Sequence, residues 1–257
     1  MNYPKSREDA EIFFNYEIIK PNTYTQAHHH PWGQLQLIRG GVLELKSQGK
    51  RFLSPPQYAI WVPPNVPHES YIRRTIQYCS VNIALPLALQ MPSDTCLLSL
   101  SAIAEAIIAH LRESQITHAQ DPQTERLIAV LLDQLMEAES ISQYLPMSDD
   151  KLLTPILRAI ERDPTHPDSL ATWAKRVHTT ERTLARHFQQ SLGLSFVQWR
   201  QRRKFLYALQ LLRRGQSVKE IALTLGYHQS TPFIQMFKRL AGCTPEQYRQ
   251  RLAGEPK

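Results

Sequence analysis

The sequence predicts a two-domain α+β chain: an N-terminal β-barrel followed by helices, then an all-α domain in which a long helix joins two helix-turn-helix units. Three observations carry this. Short apolar or alternating runs broken by turn residues fill the stretch from Glu11 to Ala84. From Cys96 the apolar residues recur at helical spacing instead. The charge also divides: from Asp149 onward there are 19 Lys and Arg against 9 Asp and Glu, a net +10, whereas the first 148 residues hold 11 against 14, a net −3. A basic half on a mildly acidic half points to a polyanion partner for the C-terminal half alone.

In the N-terminal part, QLQLIRG, GVLELKS, KRFLSPP, YAIWVPP and QYCSVNIAL each read as a strand. Turns are marked by Gly40-Gly41, Gln48-Gly49, Pro55-Pro56 and Pro63-Pro64-Asn65. The barrel is assigned to residues 1–95 and a helical pair to 96–145. In that pair Leu97, Leu100, Ile103, Ala104, Ile107, Ile108 and Leu111 line one helix beginning at Cys96; Leu127, Ile128, Leu131, Leu132, Leu135 and Met136 line a second after Asp121-Pro122. Either the two helices cover the barrel, or their apolar faces pair with a second subunit in a homodimer. Ser140 to Asp150, with Pro146 and two acids, reads as the linker.

Residues 146–257 carry the helical domain. An amphipathic helix over Lys151 to Asp163 turns Leu153, Ile156, Leu157 and Ile160 inward. Helix-turn-helix units follow near 168–190 and 217–240, joined by the basic helix SFVQWRQRRKFLYALQLLRRG from Ser195 to Gly215. Thr179 or Thr180 caps the second helix of the first unit, and Ser230 or Thr231 that of the second, with Pro232 in its first turn. Phe233 and Phe237 repeat Leu184 and Phe188 at a spacing of 49, while Ile221-Ala222 follows Leu170-Ala171 by 51, which predicts a second turn shorter by two residues. A twenty-residue helix is about 30 Å long, close to the roughly 34 Å turn of B-DNA, so such a connector suits two helices in successive major grooves.

Three cysteines, Cys79, Cys96 and Cys243, are odd in number and lack metal-ligand spacing, which predicts reduced thiols. Met1 to Tyr16 is too charged for a signal peptide, and no long apolar run predicts a membrane span, so the expectation is a soluble cytoplasmic protein.

From about Lys151 to Leu252 the chain resembles the DNA-binding domain of AraC/XylS-family transcription regulators. The resemblance rests on Leu170-Ala171, Ala174, Leu184, Arg186, Phe188, Gly193, Ala208 and Leu211-Leu212. It continues through Ile221-Ala222, Gly226-Tyr227, Phe233, Phe237, Gly242, Pro245 and Tyr248-Arg249. Lys204, Tyr227 and Pro232 depart from the usual pattern. The resemblance implies double-stranded promoter DNA and RNA polymerase as partners, with activation the commoner behaviour. Arg182 and Arg186, one helical turn apart, are the leading base readers, since Arg donates two hydrogen bonds to guanine. Thr183, Gln189, Ser230, Thr231 and Gln235 occupy neighbouring outward positions, and Pro232 and Ile234 are placed to touch thymine methyls. Lys238, Arg239, Arg200 and Arg203 are assigned to phosphates.

His28, His29, His30, Gln34 and the distant His68 form a cluster with metal-ligand character. The pattern His28-x-His30-x3-Gln34-x6-Gly41, then Pro63-x-Asn65-x-x-His68, resembles the two cupin motifs, with Gln34 in place of the usual glutamate and Asn65 in place of glycine. That resemblance implies a double-stranded β-barrel with His28, His30 and His68 pointing inward and Gln34 a weaker fourth ligand. The cluster then holds a divalent metal, hydrogen-bonds an organic effector, or serves the fold alone. Trp32, Trp61, Tyr58 and Tyr71 are candidates to line an effector pocket. An effector-responsive regulator is the leading reading. A cupin-type metal-dependent enzyme with a DNA-binding appendage is the alternative, weakened by the missing carboxylate and by the lack of an acid-base pair, so no catalytic residue is assigned.

Overall fold

The computed structural model describes residues 10–39, 42–55, 58–72 and 75–253; the predicted turns at Gly40-Gly41 and Pro56 lie outside them. The chain divides into two compact units, Met1–Tyr144 and Leu145–Lys257.

Among its described residues the first unit contains ten strands: β1 (Ile12–Ile19), β2 (Thr23–His28), β3 (Gly33–Arg39), β4 (Leu43–Ser47), β5 (Lys50–Ser54), β6 (Tyr58–Val62), β7 (His68–Ile72), β8 (Ile76–Ile83), β9 (Cys96–Ser99) and β10 (Ser140–Ile141). A six-stranded sheet runs β1-β8-β3-β6-β9-β10 and a four-stranded sheet β2-β7-β4-β5. The helices are α1 (Leu85–Ala88), α2 (Ala102–Glu113) and α3 (Pro122–Met136).

Side chains alternate across a strand, and this settles which residues meet the helices. Ile12, Phe14, Leu35, Ala59, Trp61, Cys79, Val81, Ile83 and Leu98 share one core with Ala104, Ile107, Ile108 and Leu111 of α2 and Ile128, Leu131 and Leu135 of α3. The two helices therefore cover one face of the larger sheet. Residues offset by one, Gln34, Gln36, Ser80 and Asn82, are buried on the opposite face, which turns into the barrel.

The helix expected to begin at Cys96 begins six residues later. Cys96–Ser99 is instead strand β9, pairing with β6 so that Ile60 faces Leu97 and Ala59 faces Leu98. An open sheet edge outweighs a coincidental three-residue apolar spacing. Ser101 then starts α2 by accepting the amide N–H of Ala104. Ile103, expected inward, is 54% exposed.

Gly33 opens β3 under the ring of Trp61, where an added Cβ would stand 2.1 Å from ring carbon Cη2. The indole is fully buried and its Nε1 donates to Pro92 O at 2.7 Å, so it has no room to yield. Gly33→Ala is therefore expected to destabilise the barrel unit by about 1–3 kcal/mol through overpacking, seen as an earlier urea midpoint by near-ultraviolet circular dichroism.

The second unit comprises α4 (Leu153–Arg162), α5 (Leu170–Arg176), α6 (Glu181–Leu192), α7 (Phe196–Arg213), α8 (Val218–Thr224), α9 (Ser230–Ala241) and α10 (Pro245–Ala253). Ser195 and Gln198 form a capping box at the start of α7. The helix buries Phe196, Trp199, Phe205, Leu206, Ala208, Leu209, Leu211 and Leu212. Its first turn meets α6 through Phe188 and Phe196, ring centroids 5.4 Å apart. Further along, Phe205 meets Phe237 of α9 at 5.0 Å. One helix thus supplies core to both helix-turn-helix units.

Backbone hydrogen bonds correct the repeat. Thr179 N–H donates to Ala174 O, and Tyr227 N–H to Ala222 O, closing the same helix-ending loop. Trp173-Ala174 therefore matches Ile221-Ala222 at a spacing of 48, as do the caps Ser169 and Ser217. The caps Thr180 and Gln229 lie 49 apart, so the second turn is longer by one residue, not shorter by two. Two apolar-small pairs one turn of helix apart in α5 had looked interchangeable.

Candidate DNA interface and effector site

In α6 the buried residues Leu184, Phe188 and Leu192 face the core, leaving Arg182, Arg186 and Gln189 exposed on the other side. Thr180 caps the helix by accepting Thr183 N–H at 3.1 Å. The Thr183 hydroxyl lies 2.9 Å from that of Thr180 and is half-buried, so Thr183 belongs to the cap before it belongs to any base. In α9 Phe233, Met236 and Phe237 face inward and Thr231, Pro232, Gln235 and Lys238 outward, with Ser230 and Ile234 half-buried.

The start of α9 differs from expectation. Gln229 is the N-cap and its side chain makes no capping hydrogen bond. Ser230 and Thr231 are already helical, which puts Pro232 at the third position. Its missing N–H is still one of the four that a helix leaves unpaired.

Two of the four expected phosphate cations are drawn into the module. Arg200 Nη1 donates to Asp168 O at 3.1 Å, and its guanidinium stacks over Phe196 with its carbon 4.9 Å from the ring centroid. Arg203 Nη2 donates to Glu161 O at 2.7 Å. They tie α7 to the last turn of α4 and to the segment that leads into α5, a role that their helical spacing did not announce. Arg239 is exposed yet donates to Gln201 at 2.6 Å. Lys204 does comparable work: its ammonium donates to Leu225 O at 2.5 Å beside the Tyr227 ring, and burial pushes its pKa down to about 8.

In the first unit, β2 and β7 pair antiparallel with His28 opposite His68 after an irregularity that follows Thr25. The turn before β7 reaches back, with Asn65 N–H donating to His30 O at 2.8 Å. Asn65 stands at φ 60°, in the left-handed region that asparagine tolerates, which explains how it fills a glycine position. The imidazole centroids are 4.4 Å apart for His28 and His68, 4.9 Å for His30 and His68, and 5.4 Å for His28 and His30. One ligand nitrogen from each lies within 4.8 Å of the others. His29 is exposed.

The tautomers follow from the partners. Nδ1 of His28 is 2.8 Å from Gln26 O and Nδ1 of His68 is 3.0 Å from Val66 O; a carbonyl only accepts, so both Nδ1 atoms carry hydrogen. Nε2 of His68 and of His30 is buried without a hydrogen-bond partner. Burial pushes the His68 pKa down to about 4 and lowers that of His30, so both rings are neutral near pH 7.

Gln34 is less available as a ligand than its motif position implies. Its amide nitrogen donates to Asn82 Oδ1 at 2.9 Å, and its oxygen accepts from Gln36 Nε2 at 2.7 Å. Asn82 continues the row to Ser80 at 3.1 Å, and Asn15 joins it there at 3.2 Å. This buried polar ladder was missed in the sequence, although QLQL and CSVNI show its two-residue period.

The aromatic candidates separate. Trp32 stacks on His30 at 5.2 Å with planes 5° apart and meets Phe13 edge-on, which places it at the cluster. Trp61 faces α2 and α3, on the wrong side of the sheet for a barrel pocket. Tyr58 packs on Tyr144 at 5.6 Å, and the Tyr71 hydroxyl donates to Asn22 at 3.3 Å in an exposed contact. Neither is brought to the histidines by these contacts. All three cysteines are buried.

A chain that carries a basic pair of helix-turn-helix units on a shared helix and also a β-barrel with a buried polar lining is that of a DNA-binding protein with a ligand-binding domain. Residues 13–148 match the AraC-like ligand binding domain family and residues 173–251 a helix-turn-helix domain family. The HTH-type transcriptional regulator NimR of Escherichia coli is 33% identical over 249 residues, covering 97% of this chain and 91% of that protein. The HTH-type transcriptional activator RhaR of Salmonella schwarzengrund is 26% identical over 143 residues, covering 52% of this chain and 49% of that one. ToxT from Vibrio cholerae shows a looser structural likeness, with a TM-score of 0.40 and 14% identity over 95% of this chain and 100% of that one. The chain belongs to the AraC family and is a DNA-binding transcription regulator with an N-terminal ligand-binding domain. Among the described residues no helix is long and apolar enough to cross a membrane.

Proposed function

We propose that the protein is an effector-responsive activator that reads promoter DNA through α6 and α9 and takes a small molecule or a metal ion into its barrel. The observation that carries the DNA half is the pair of outward polar faces, Arg182, Arg186 and Gln189 on α6 and Thr231 and Gln235 on α9, mounted on one 18-residue helix. At 1.5 Å per residue α7 is about 27 Å long, a span matched to the roughly 34 Å between successive major grooves. Arg182 and Arg186 read bases, and Lys238 and Arg239 take phosphates. RNA polymerase is the partner on the promoter, and the cytoplasm is where the regulator meets it.

The barrel half rests on the polar ladder and the histidine cluster with Trp32. Effector occupancy changes DNA affinity by a coupling free energy in the usual range of about 1–3 kcal/mol. A homodimer through α2 and α3 would use what the barrel leaves uncovered, Ile103 at 54% and Val130 at 45% exposure. Catalysis is not part of this reading, because the relatives matched are transcription regulators.

The phosphate assignment is tested by salt. Lys238→Ala is expected to reduce the slope of log affinity against log salt by about one for DNA selected from a random library, while sequence preference is kept. An unchanged slope with a changed preference would remove Lys238 from the backbone contacts.

A further inference from the structure

We propose that His28, His30 and His68 bind one divalent first-row transition metal through their Nε2 atoms, leaving coordination positions open for an effector. The proposal deepens the effector reading above, yet its test is metal binding alone and does not depend on DNA.

Three features of the cluster point the same way. The rings converge from β2, from the segment after it and from β7, so one loop does not account for them. Two of the rings donate Nδ1–H to backbone carbonyls, Gln26 O and Val66 O, which is the anchoring that metal-bound histidines use and which turns Nε2 inward with its lone pair available. Most telling, Nε2 of His30 and of His68 is buried with no hydrogen-bond partner. Burying a polar nitrogen without a partner is unfavourable, and a single cation would satisfy both.

The spacing fits with a small closure. Nitrogen ligands about 2.1 Å from a tetrahedral zinc lie about 3.4 Å apart, against a present spread of up to 4.8 Å. His28 is exposed at the end of β2 and can supply that movement. Imidazole donors suit zinc, nickel, copper or iron, whereas calcium and magnesium prefer oxygen. With Gln34 committed to Asn82 and Gln36, the protein supplies three ligands, and three ligands leave room for water or an effector donor.

The full-length, tag-free protein is loaded with zinc or cobalt, desalted, and assayed by elemental analysis and by the cobalt absorption spectrum. The wild type is expected to retain one equivalent. His28→Ala and His30→Ala should each weaken retention by more than the roughly 10–100-fold that loss of an outer-shell partner costs. His29→Ala, at the exposed neighbour, should retain metal like the wild type. Because His28 is exposed, its replacement leaves the barrel folded, which circular dichroism checks. No retained metal in the wild type overturns the proposal, as does equal retention in His28→Ala and His29→Ala. Selective DNA binding that persists in either case leaves the DNA assignment standing.

Discussion

Replacing Arg182 and Arg186 together with alanine is expected to remove sequence preference at one half of the bound site and to weaken binding to selected DNA by at least tenfold. Each bidentate arginine–guanine contact is worth about 1–3 kcal/mol of discrimination. The two side chains lie on adjacent turns of α6, opposite the buried Leu184 and Phe188, so the substitution leaves the core alone. Surface changes of this kind shift stability by within about 0.5 kcal/mol, and an unchanged unfolding midpoint would separate lost recognition from lost fold. Fluorescence anisotropy on the selected site and on a scrambled duplex measures both terms. Equal weakening on the two duplexes would make the arginines phosphate contacts.

Trp199→Ala is expected to cost the helical unit about 3–5 kcal/mol, the range for emptying a buried aromatic site. Trp199 is fully buried near the start of α7 and its Nε1 donates to Pro146 O at 2.8 Å. Its removal leaves a cavity and an unpaired carbonyl together. Against typical domain stabilities of about 5–15 kcal/mol, that loss brings the unit close to unfolding at 37 °C. Urea denaturation of the full chain followed at 222 nm reports it, since most of the helix lies in this unit. A loss below about 1 kcal/mol would mean that α7 is not the common core of the two units.

The helical unit was the more legible half because its signals are local. Ser169, Thr180, Ser195 and Ser217 cap four helices where the sequence places a hydroxyl before an apolar run. Gly193 and Gly242 end two helices in left-handed conformation, as glycine at that position should. The start of α9 was misplaced because Gln229 lacks a capping side chain and the nearby Ser230 and Thr231 look like better caps.

The barrel hid more. The five strand runs named from the sequence fall on β3, β4, β5, β6 and β8, whereas β2 is polar and largely exposed and β7 is mostly polar and half-buried, with little apolar signal to find. β9 was read as helix because its pairing partners lie about 35 to 41 residues away on β6. Alternation in β3 and β8 was visible, but a two-residue period does not say which face meets water, and here the polar face of Gln34, Gln36, Ser80 and Asn82 is buried too. The same ambiguity put Trp61 in the pocket when it belongs to the helix-covered core. The histidines were legible because their motif spacing brings two distant segments together.

A hydroxyl-radical footprint on DNA selected by the full-length protein tests most directly whether α6 and α9 each read a groove. Two protected segments centred about 10–10.5 base pairs apart are expected, with Arg182→Ala/Arg186→Ala weakening one and Thr231→Ala/Gln235→Ala weakening the other. A single protected segment lost with either pair would contradict two-groove reading.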